Sequence, residues 1–282
     1  MSEAPIGLLH PGEMGAAVGA GLVKTGHRVL WASAGRGPAT GARAEAAGLV
    51  DAGTVAALAQ QAGTILSICP PHAALDVARS VAGHVSPGFG GVFVDANAVS
   101  PGTAGEVARI VGAAGASYVD GGIIGLPPSA EGGTRLYLSG PRAAAVRRLF
   151  AGTDLDVRVL EGETTASALK MAYAGWTKGT AALILAVRGL ARAAGVEDAL
   201  LAEWQESQPG LPRRSEQAAS SAATKGWRWV GEMEEIAASM AAAGLPPGFH
   251  EAAAEIFRRS PRAGSSGPDQ PTVASVLDAL LP

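Results

Sequence analysis

Short apolar runs alternate with longer alanine-rich stretches over the first part of the chain. Seven runs have the length and composition of strands, at 6–9, 29–32, 64–69, 92–95, 118–120, 136–139 and 157–160. Alanine-rich stretches at 13–25, 73–82 and 104–113 are typical of the helices that connect such strands. This strand–helix alternation predicts an α/β domain with a parallel, doubly wound sheet.

After Leu160 the hydrophobic pattern has only helical spacing. The stretch 164–194 lacks proline, and its apolar residues recur at helical intervals, at Leu169, Ala172, Tyr173, Trp176, Leu183, Val187 and Leu190. Further helices are predicted at 211–222, 231–243 and 247–258, and a Gly/Ser/Pro-rich stretch, 263–271, precedes a short final helix. We therefore predict an α/β domain over 1–160 and an all-α domain over 161–282.

Composition narrows the class of protein. The 282 residues are 48% hydrophobic and 17% charged, which suits a large core. A net charge of −3, with the 22 Lys and Arg scattered along the chain, indicates no nucleic-acid or anionic-membrane partner. The longest apolar stretch, 180–187, is too short to span a bilayer, and no signal segment starts the chain, so we expect a soluble, cytoplasmic protein. A single cysteine, Cys69, excludes an intrachain disulfide and a multi-cysteine zinc site, and we predict no metal.

The stretch "GLLHPGEMG", residues 7–15, lies between the first predicted strand and the first predicted helix. A dinucleotide-binding G-x-G-x-x-G turn occupies such a place, and here its three positions hold His10, Gly12 and Gly15. Gly12 would let the backbone approach a pyrophosphate, Gly15 would let helix and strand pack closely, and the helix N-terminus would attract the anion. Histidine visits unusual backbone regions more readily than most residues. We predict that the turn binds a cofactor through residues His10, Pro11, Gly12, Glu13, Met14 and Gly15, the alternative being a turn without a ligand.

The end of the second predicted strand favours one nucleotide. No Asp or Glu occurs between Val29 and Thr40, so the acid that would hold the ribose 2′-hydroxyl of NAD is missing there. Ser33 and Arg36 could instead bind the 2′-phosphate of NADP, with Thr40 and Arg43 as weaker candidates. We predict NADP(H) in preference to NAD(H), the alternative being a solvated loop that happens to carry arginine.

Four segments together resemble the β-hydroxyacid dehydrogenase superfamily, relatives of 6-phosphogluconate dehydrogenase and the imine reductases. They are "IGLLHPGEMG", "SICPPHAALDV", "VDANAVSP" and "YVDGGIIGLPPSAEGGTRLYLSG". The most similar branch carries a distinct helical C-terminal domain of unknown function. The resemblance implies a Rossmann-like fold, a small-molecule substrate and a homodimer in which the long helices pack together. It also implies a cofactor that runs past Cys69, Pro70, Pro71 and Asn97.

The same resemblance implies a catalytic lysine in a "G-x-G-x-x-x-K-x-x-x-N" pattern. The corresponding stretch is "EGETTASALKMAYAGWTKG", and its lysine is Lys170. This lysine would exchange a proton with the substrate oxygen or nitrogen while hydride moves to or from the nicotinamide. A lysine does this near neutral pH if burial or a neighbouring cation lowers its pKa. The alternative is a lysine at a helix edge with its head group in water.

Two departures from the family pattern concern the substrate. The family's asparagine, four residues after the lysine, is Ala174 here, and its substrate-contacting serine aligns with Ile124. Both replacements indicate a bulkier or less polar substrate than a small 3-hydroxy carboxylate, or an imine. The candidate substrate-binding residues are Asn97, Ile124, Gly125, Tyr173, Thr177 and His250. Asn97 could instead form an Asx turn, and Cys69 is interpreted as structural because only His72 near it could serve as a base.

Three functional hypotheses follow from these residues. The first is an NADP-dependent oxidoreductase that acts on a C–O bond, with Lys170 as general acid and base. The second is an NADPH-dependent imine reductase, which has the same fold and cofactor but reduces C=N. The third is an NADP-binding protein that no longer catalyses, which the loss of the asparagine and the serine would suit.

Overall fold

A computed structural model describes residues 4–85, 89–262 and 271–281. By its internal contacts the chain divides into two compact units, Met1–Lys170 and Met171–Pro282. The division falls inside a long helix, whereas the sequence places the domain boundary just before that helix begins. The domain boundary near Leu160 stays a prediction.

The first unit contains one eight-stranded sheet in the order β3-β2-β1-β4-β5-β6-β7-β8. Its strands are β1 Ile6–Leu9, β2 Val29–Trp31, β3 Val50–Asp51, β4 Thr64–Ser67, β5 Val92–Asp95, β6 Ser117–Ile124, β7 Arg135–Ser139 and β8 Asp156–Val159. All neighbouring pairs are parallel except β6 and β7. No helix lies between Ile124 and Arg135, so this pair forms a hairpin rather than the crossover that parallel strands require. The expectation of a parallel sheet is therefore wrong for this one pair.

Helices connect the other strands. They are α1 Glu13–Lys24, α2 Pro38–Ala46, α3 Val55–Gln61, α4 Ala74–Ala82, α5 Pro101–Ala113 and α6 Ala143–Leu149, and a 3₁₀ turn, Pro71–Ala73, leads into α4. The sequence pattern misses α2, α3, α6 and the two-residue strand β3. In α2 only Ala44 is buried, and both residues of β3 are exposed, so neither segment carries an apolar pattern that predicts its type.

Both faces of the sheet are covered. Leu8, Leu66 and Val94 belong to one cluster of buried residues, and their sequence neighbours Leu9, Ile65 and Phe93 belong to another. Successive side chains of a strand point to opposite faces, so each strand is buried on both sides. This explains why the strands have unbroken apolar runs rather than alternation, and it confirms the doubly wound Rossmann-like fold.

The direction of strand addition reverses between β1 and β4. From β1 the chain builds β2 and β3 on one side, and β4 then begins the other side of the sheet. In open α/β sheets the crevice outside the carboxyl ends of the strands at such a reversal is where ligands bind. The loops that leave β1 and β4, at His10 and Cys69, lie at this point.

The second unit is all helical. Its helices are the greater part of α7 Thr165–Ala193, then α8 Glu197–Ser207, α9 Leu211–Ala242, α10 Gly248–Arg259 and α11 Val273–Leu280. The sequence misses α8 and divides α9 into two helices, which is wrong: Gly226 remains helical where the chain packs against Phe257 of α10. The short final helix is confirmed, and most of the stretch 263–271 before it lies outside the described residues. Within the described ranges no helix is both long and apolar enough to cross a membrane.

Candidate cofactor and substrate site

The turn after β1 has the shape that a glycine normally supplies. Among the described residues His10 is the one non-glycine with positive φ, at +71°. The N–H of Gly12 donates to the carbonyl oxygen of His10 at 2.7 Å, which closes the turn. Histidine thus occupies the left-handed conformation in place of the motif's first glycine.

The other two glycines of the turn have different surroundings. A Cβ at Gly15 would lie 2.5 Å from the carbonyl oxygen of His10, so the turn and α1 approach too closely for any side chain. A Cβ at Gly12 would meet no described atom within 4 Å. Packing therefore does not require the glycine at position 12, and the open space is where a pyrophosphate approaches the backbone in a dinucleotide fold.

The N-terminus of α1 fits an anion. Gly12 is the N-cap residue, and as a glycine it has no side chain to cap the first-turn N–H groups. Glu13 is exposed in the first turn, and Met14 packs against the buried cluster under α1, so both would act on a cofactor through their main chain. The next residue of the turn, Pro11, is also fixed, because the Arg43 guanidinium donates to its carbonyl oxygen at 3.3 Å. These features fit the phosphates of a dinucleotide.

Arg36 lies at the same end of the sheet. Its guanidinium donates to Nε2 of His10 at 2.5 Å. Both side chains line a cavity of about 280 Å³, together with Leu9, Val55, Ala73, Asp76, Val77 and Ser80. Burial, and then the charge of Arg36, lower the pKa of His10 to about 4, so the imidazole is neutral at physiological pH.

A carboxylate that the sequence pattern does not single out lies close to Ser33. Asp51 ends β3, and its Oδ1 accepts the N–H of Gly53 at 2.7 Å. That bond, followed by one from the Ser33 side chain, lowers the pKa of Asp51. The apolar-then-acidic "LVD" before Gly53 is the only local signal that could have indicated it. Ser33 and Arg36 therefore differ: the hydroxyl of Ser33 is bonded to an acid, whereas Arg36 lines the cavity.

Asn97 joins the loops after β4 and β5. Its Oδ1 accepts the N–H of Cys69 at 2.5 Å, and its Nδ2 donates to the Ser67 hydroxyl at 3.2 Å. Burial raises the pKa of Cys69 to about 12, which keeps it a thiol and suits the structural interpretation. Pro70 leads into the 3₁₀ turn, in which Pro71 is buried. Contacts of Asn97 with cofactor or substrate stay a prediction.

The start of α7 is fixed to the sheet by the buried carboxylate of Asp120. Its oxygens accept the N–H of Ser167 at 2.8 Å, the Ser167 hydroxyl at 2.5 Å and the Ser139 hydroxyl at 2.9 Å. The Ser139 hydroxyl in turn accepts the N–H of Ala166 at 3.1 Å. Burial nevertheless raises the pKa of Asp120. A side chain from β6 thus caps the helix that carries Lys170.

Lys170 reaches the end of β6. Its Nζ donates to the carbonyl oxygen of Ile123 at 2.7 Å. A Cβ at Gly122 would lie 2.8 Å from the carbonyl oxygen of Ala166, so this glycine allows α7 to pass over the strand. Ile124, which is buried, and Gly125, with φ of +128°, follow directly. The structure therefore brings the lysine to the strand end that carries two of the predicted substrate residues.

The remaining predicted substrate residues belong to the second unit. Tyr173 and Thr177 are exposed on α7, and the Thr177 hydroxyl donates to the carbonyl oxygen of Tyr173 at 3.1 Å. His250 is buried with its ring against Gly175 and Gly179, and its Nε2 lies 3.3 Å from the carbonyl oxygen of Gly175. These contacts hold α10 against α7, and a role in substrate binding stays a prediction for all three. In the described part of the chain no group of three or more His, Cys, Asp or Glu is arranged to hold a metal ion.

Comparison with protein families identifies the class. Residues 5–150 match the NAD binding domain of 6-phosphogluconate dehydrogenase, and residues 191–260 match a domain of unknown function, DUF1932. The chain belongs to the 6-phosphogluconate dehydrogenase-like family of NAD-binding proteins. It is an NAD(P)-dependent dehydrogenase or reductase, as the resemblance implied.

Solved structures show the same fold along nearly the whole chain. A conserved hypothetical protein from Sinorhizobium meliloti is 28% identical, with a TM-score of 0.67, over 99% of this chain and 96% of that one. The 3-hydroxyisobutyrate dehydrogenase of Mycobacterium tuberculosis is 17% identical, with a TM-score of 0.68, over 99% of each chain. A reductive aminase from Aspergillus terreus, in complex with NADPH and ethyl-5-oxohexanoate, is 19% identical, with a TM-score of 0.58, over 98% and 99%. No curated protein matches the chain.

Proposed function

We propose that the protein binds NADP(H) in preference to NAD(H) and transfers hydride between the nicotinamide and a hydroxy or oxo substrate. The observation that carries this proposal is the position of Lys170, whose amino group is held at the carboxyl end of β6 in a protein that keeps the second and third glycines of a dinucleotide turn. The support for NADP is Arg36, a cation in the cavity beside that turn. The similarly folded reductive aminase also has NADPH bound.

Each part of the cofactor has candidate ligands on this chain. The open space at Gly12 and the N-terminus of α1 suit the pyrophosphate. Arg36 suits the 2′-phosphate, because a guanidinium donates several hydrogen bonds to one phosphate. Ser33 is the weaker candidate, since its hydroxyl is bonded to Asp51.

Lys170 is the proposed general acid and base. When bound, the nicotinamide supplies or accepts the hydride. Lys170 donates a proton to the substrate oxygen as a carbonyl is reduced, and it takes the proton back as an alcohol is oxidised. The carbonyl oxygen of Ile123 orients the amino group for this exchange. The buried side chain of Ile124 adds no hydrogen-bonding group, which favours a substrate with an apolar portion there.

Imine reduction is the second candidate function. The observation in its favour is the loss of two polar groups, since Ile124 and Ala174 hold no hydrogen-bonding side chain where the family's serine and asparagine align. Turnover of cyclic imines that survives Lys170→Ala would favour it. Tight NADPH binding with no oxidation by any carbonyl or imine would instead favour a non-catalytic NADP-binding protein.

The test is a fluorescence titration of the purified protein with NADPH and, separately, with NADH. We expect NADPH to bind more tightly, and Arg36→Ala to remove about 1.5–3 kcal/mol of its binding free energy, the range for hydrogen bonds to charged groups. Arg109→Ala is the matched control, because Arg109 is an exposed arginine on α5. Binding of neither dinucleotide, or equal loss in both variants, would contradict the proposal. A panel of 2-oxo acids, 3-oxo acids and cyclic imines then identifies the reaction class.

We also propose a homodimer through α7. A stripe on this helix recurs in steps of alternately three and four residues, at Tyr173, Trp176, Thr180, Leu183, Val187 and Leu190. Its side chains are exposed except for the half-buried Thr180. That spacing is the seam by which two helices pack together. Trp176 and Leu190 are 68% and 70% exposed, which is costly for large apolar side chains unless a second copy covers them.

Analytical ultracentrifugation tests the homodimer. We expect the wild type to sediment as a dimer and the variant Leu183→Glu/Leu190→Glu as a monomer. Leu245→Glu, at an exposed leucine after α9, should remain dimeric. A monomeric wild type would refute the homodimer, and a variant that still dimerises would refute this seam.

A further inference from the structure

The contact between His10 and Arg36 connects two parts of the proposed cofactor site. His10 follows β1 directly and forms the turn, whereas Arg36 comes from the loop after β2. Because β1 and β2 are parallel neighbours, their carboxyl ends bring these residues together. The guanidinium of Arg36 donates to Nε2 of His10, and both side chains line one cavity.

This contact assigns the protons of the imidazole. A guanidinium only donates hydrogen bonds, so Nε2 of His10 is the acceptor and Nδ1 carries the proton. Nδ1 is buried, and the described residues offer it no hydrogen-bond partner. Among the described residues, the one side-chain hydrogen bond of His10 is therefore its contact with Arg36.

A turn alone does not require histidine. The left-handed conformation at φ of +71° costs free energy for a residue with a side chain and almost none for glycine. Histidine supplies a rigid acceptor that a glycine lacks. An arginine side chain has many rotamers, and ordering it on binding weakens affinity. A neighbour that holds the guanidinium in advance reduces that loss.

We propose that His10 positions the Arg36 guanidinium and thereby sets the preference for 2′-phosphorylated dinucleotides. This inference rests on the proposed binding of NADP(H). Arg36 contacts the nucleotide, and His10 acts through Arg36, so His10 is a positioning residue and not a catalytic one. His10 then contributes in two separate ways: its backbone forms the turn, and its imidazole sets the preference for the 2′-phosphate.

Two substitutions separate these contributions. His10→Gly relieves the strained backbone, and His10→Asn keeps a residue that tolerates the left-handed region but has a shorter side chain. In fluorescence titrations both variants should bind NADPH about three- to tenfold more weakly than the wild type, the range expected for ordering one long side chain. Affinity for NADH should change by less than about twofold, and His10→Gly should melt no lower than the wild type.

A double-mutant cycle tests whether His10 acts through Arg36. In an Arg36→Ala background, His10→Gly should leave the NADPH affinity unchanged, because the side chain that it positions is gone. Equal loss of NADPH and NADH affinity in His10→Gly would overturn the inference, since it would show a general role in the turn. An undiminished effect in the Arg36→Ala background, or no effect of either His10 variant on NADPH, would overturn it as well.

One measurement on the cofactor-free protein distinguishes failure of this inference from failure of the proposed function. The NMR titration of the His10 imidazole should give a pKa that rises when Arg36→Ala removes the neighbouring cation. An unchanged pKa would show that the contact does not exist in solution and would overturn the inference even if NADPH binds. If Arg36→Ala raises the pKa of His10 but the wild type binds no dinucleotide, the contact is real. The proposed function, and with it the role of His10 in cofactor preference, is then wrong.

Discussion

The proposed nucleotide site at β1 and the proposed substrate site at β6 lie at the same edge of the sheet, and they differ in how they tolerate departures from the family pattern. At the carboxyl end of β1, the motif's first glycine is His10, yet the turn closes and α1 begins at the expected place. At the carboxyl end of β6, Lys170 is in place, while the aligned polar positions hold Ile124 and Ala174. One altered residue leaves the geometry of the turn intact, whereas the two other altered residues remove the hydrogen-bonding side chains that the family pattern has at these positions.

The reason lies in which atoms bind the ligand. A pyrophosphate is held by main-chain N–H groups and the helix dipole, so its site depends on backbone shape more than on side-chain identity. A substrate is recognised by a few side chains whose hydrogen bonds each carry specificity. The cofactor is therefore more easily predicted from the sequence than the substrate is, and five substitutions test this difference.

Lys170→Ala should have the largest effect. General acid–base catalysis is worth about 10²- to 10⁴-fold, so turnover of an oxo substrate should fall by that factor. The dissociation constant for NADPH should change little, since the proposed cofactor contacts lie elsewhere. Steady-state kinetics and NADPH titration measure the two quantities, and Lys225→Ala, at an exposed lysine on α9, is the control. Full turnover in Lys170→Ala would remove the lysine from the mechanism.

Gly12→Ala and Gly15→Ala should separate ligand binding from folding. The added methyl at position 12 meets only open space, so stability should hold while NADPH affinity falls by about tenfold, or about 1.4 kcal/mol. At position 15 it meets the His10 carbonyl oxygen at 2.5 Å, which should lower the free energy of unfolding by about 1–3 kcal/mol. Urea unfolding and NADPH titration check both variants. If Gly12→Ala bound NADPH normally, the pyrophosphate could not lie at this turn.

His10 should make stability depend on pH. Its pKa falls from 6.5 in the unfolded chain to about 4 in the folded protein, so the unfolded chain binds more protons between these values. This stabilising contribution is fully present above pH 6.5 and is lost as the pH falls through about 4. His10→Asn should therefore cost less stability at pH 5 than at pH 7, as urea midpoints would show. A loss of stability in His10→Asn that is the same at pH 5 and at pH 7 would contradict the burial of His10.

Asp51→Asn should have the smallest effect. Asparagine keeps an oxygen that accepts from the Ser33 hydroxyl but removes the negative charge beside it, so the ratio of NADPH to NADH affinity should rise. Exposed charges are worth about 0.2–1 kcal/mol, which corresponds to an increase of about fivefold at most. Paired titrations measure the ratio, with the exposed Asp198→Asn as control. A fall in the ratio would mean that Asp51 orients Ser33 toward the 2′-phosphate.

The predictability of the fold varied with the strength of the apolar signal. Seven of the eight strands and α7 have clear apolar patterns, and they appear within a few residues of the predicted bounds, whereas the two-residue β3 has no such pattern. The prediction ended β6 at Asp120 because Gly121 and Gly122 have low strand propensity. The strand continues to Ile124, and both glycines fit there because a Cβ at either would collide with a neighbouring backbone. The apolar stripe on α7, from Tyr173 to Leu190, is correctly placed on a helix but is exposed rather than buried in the chain.

The sequence by itself determined the α/β class, the turn that follows β1 and the lysine early on α7, because each rests on local spacing or on a short motif. Only the tertiary structure decided that His10 holds Arg36, that Asp51 bonds Ser33 and that Asp120 caps α7. These pairs are far apart along the chain or belong to elements without a local pattern. They meet only because parallel strands bring their carboxyl ends to one edge and because a buried carboxylate takes the nearest available N–H and hydroxyl groups.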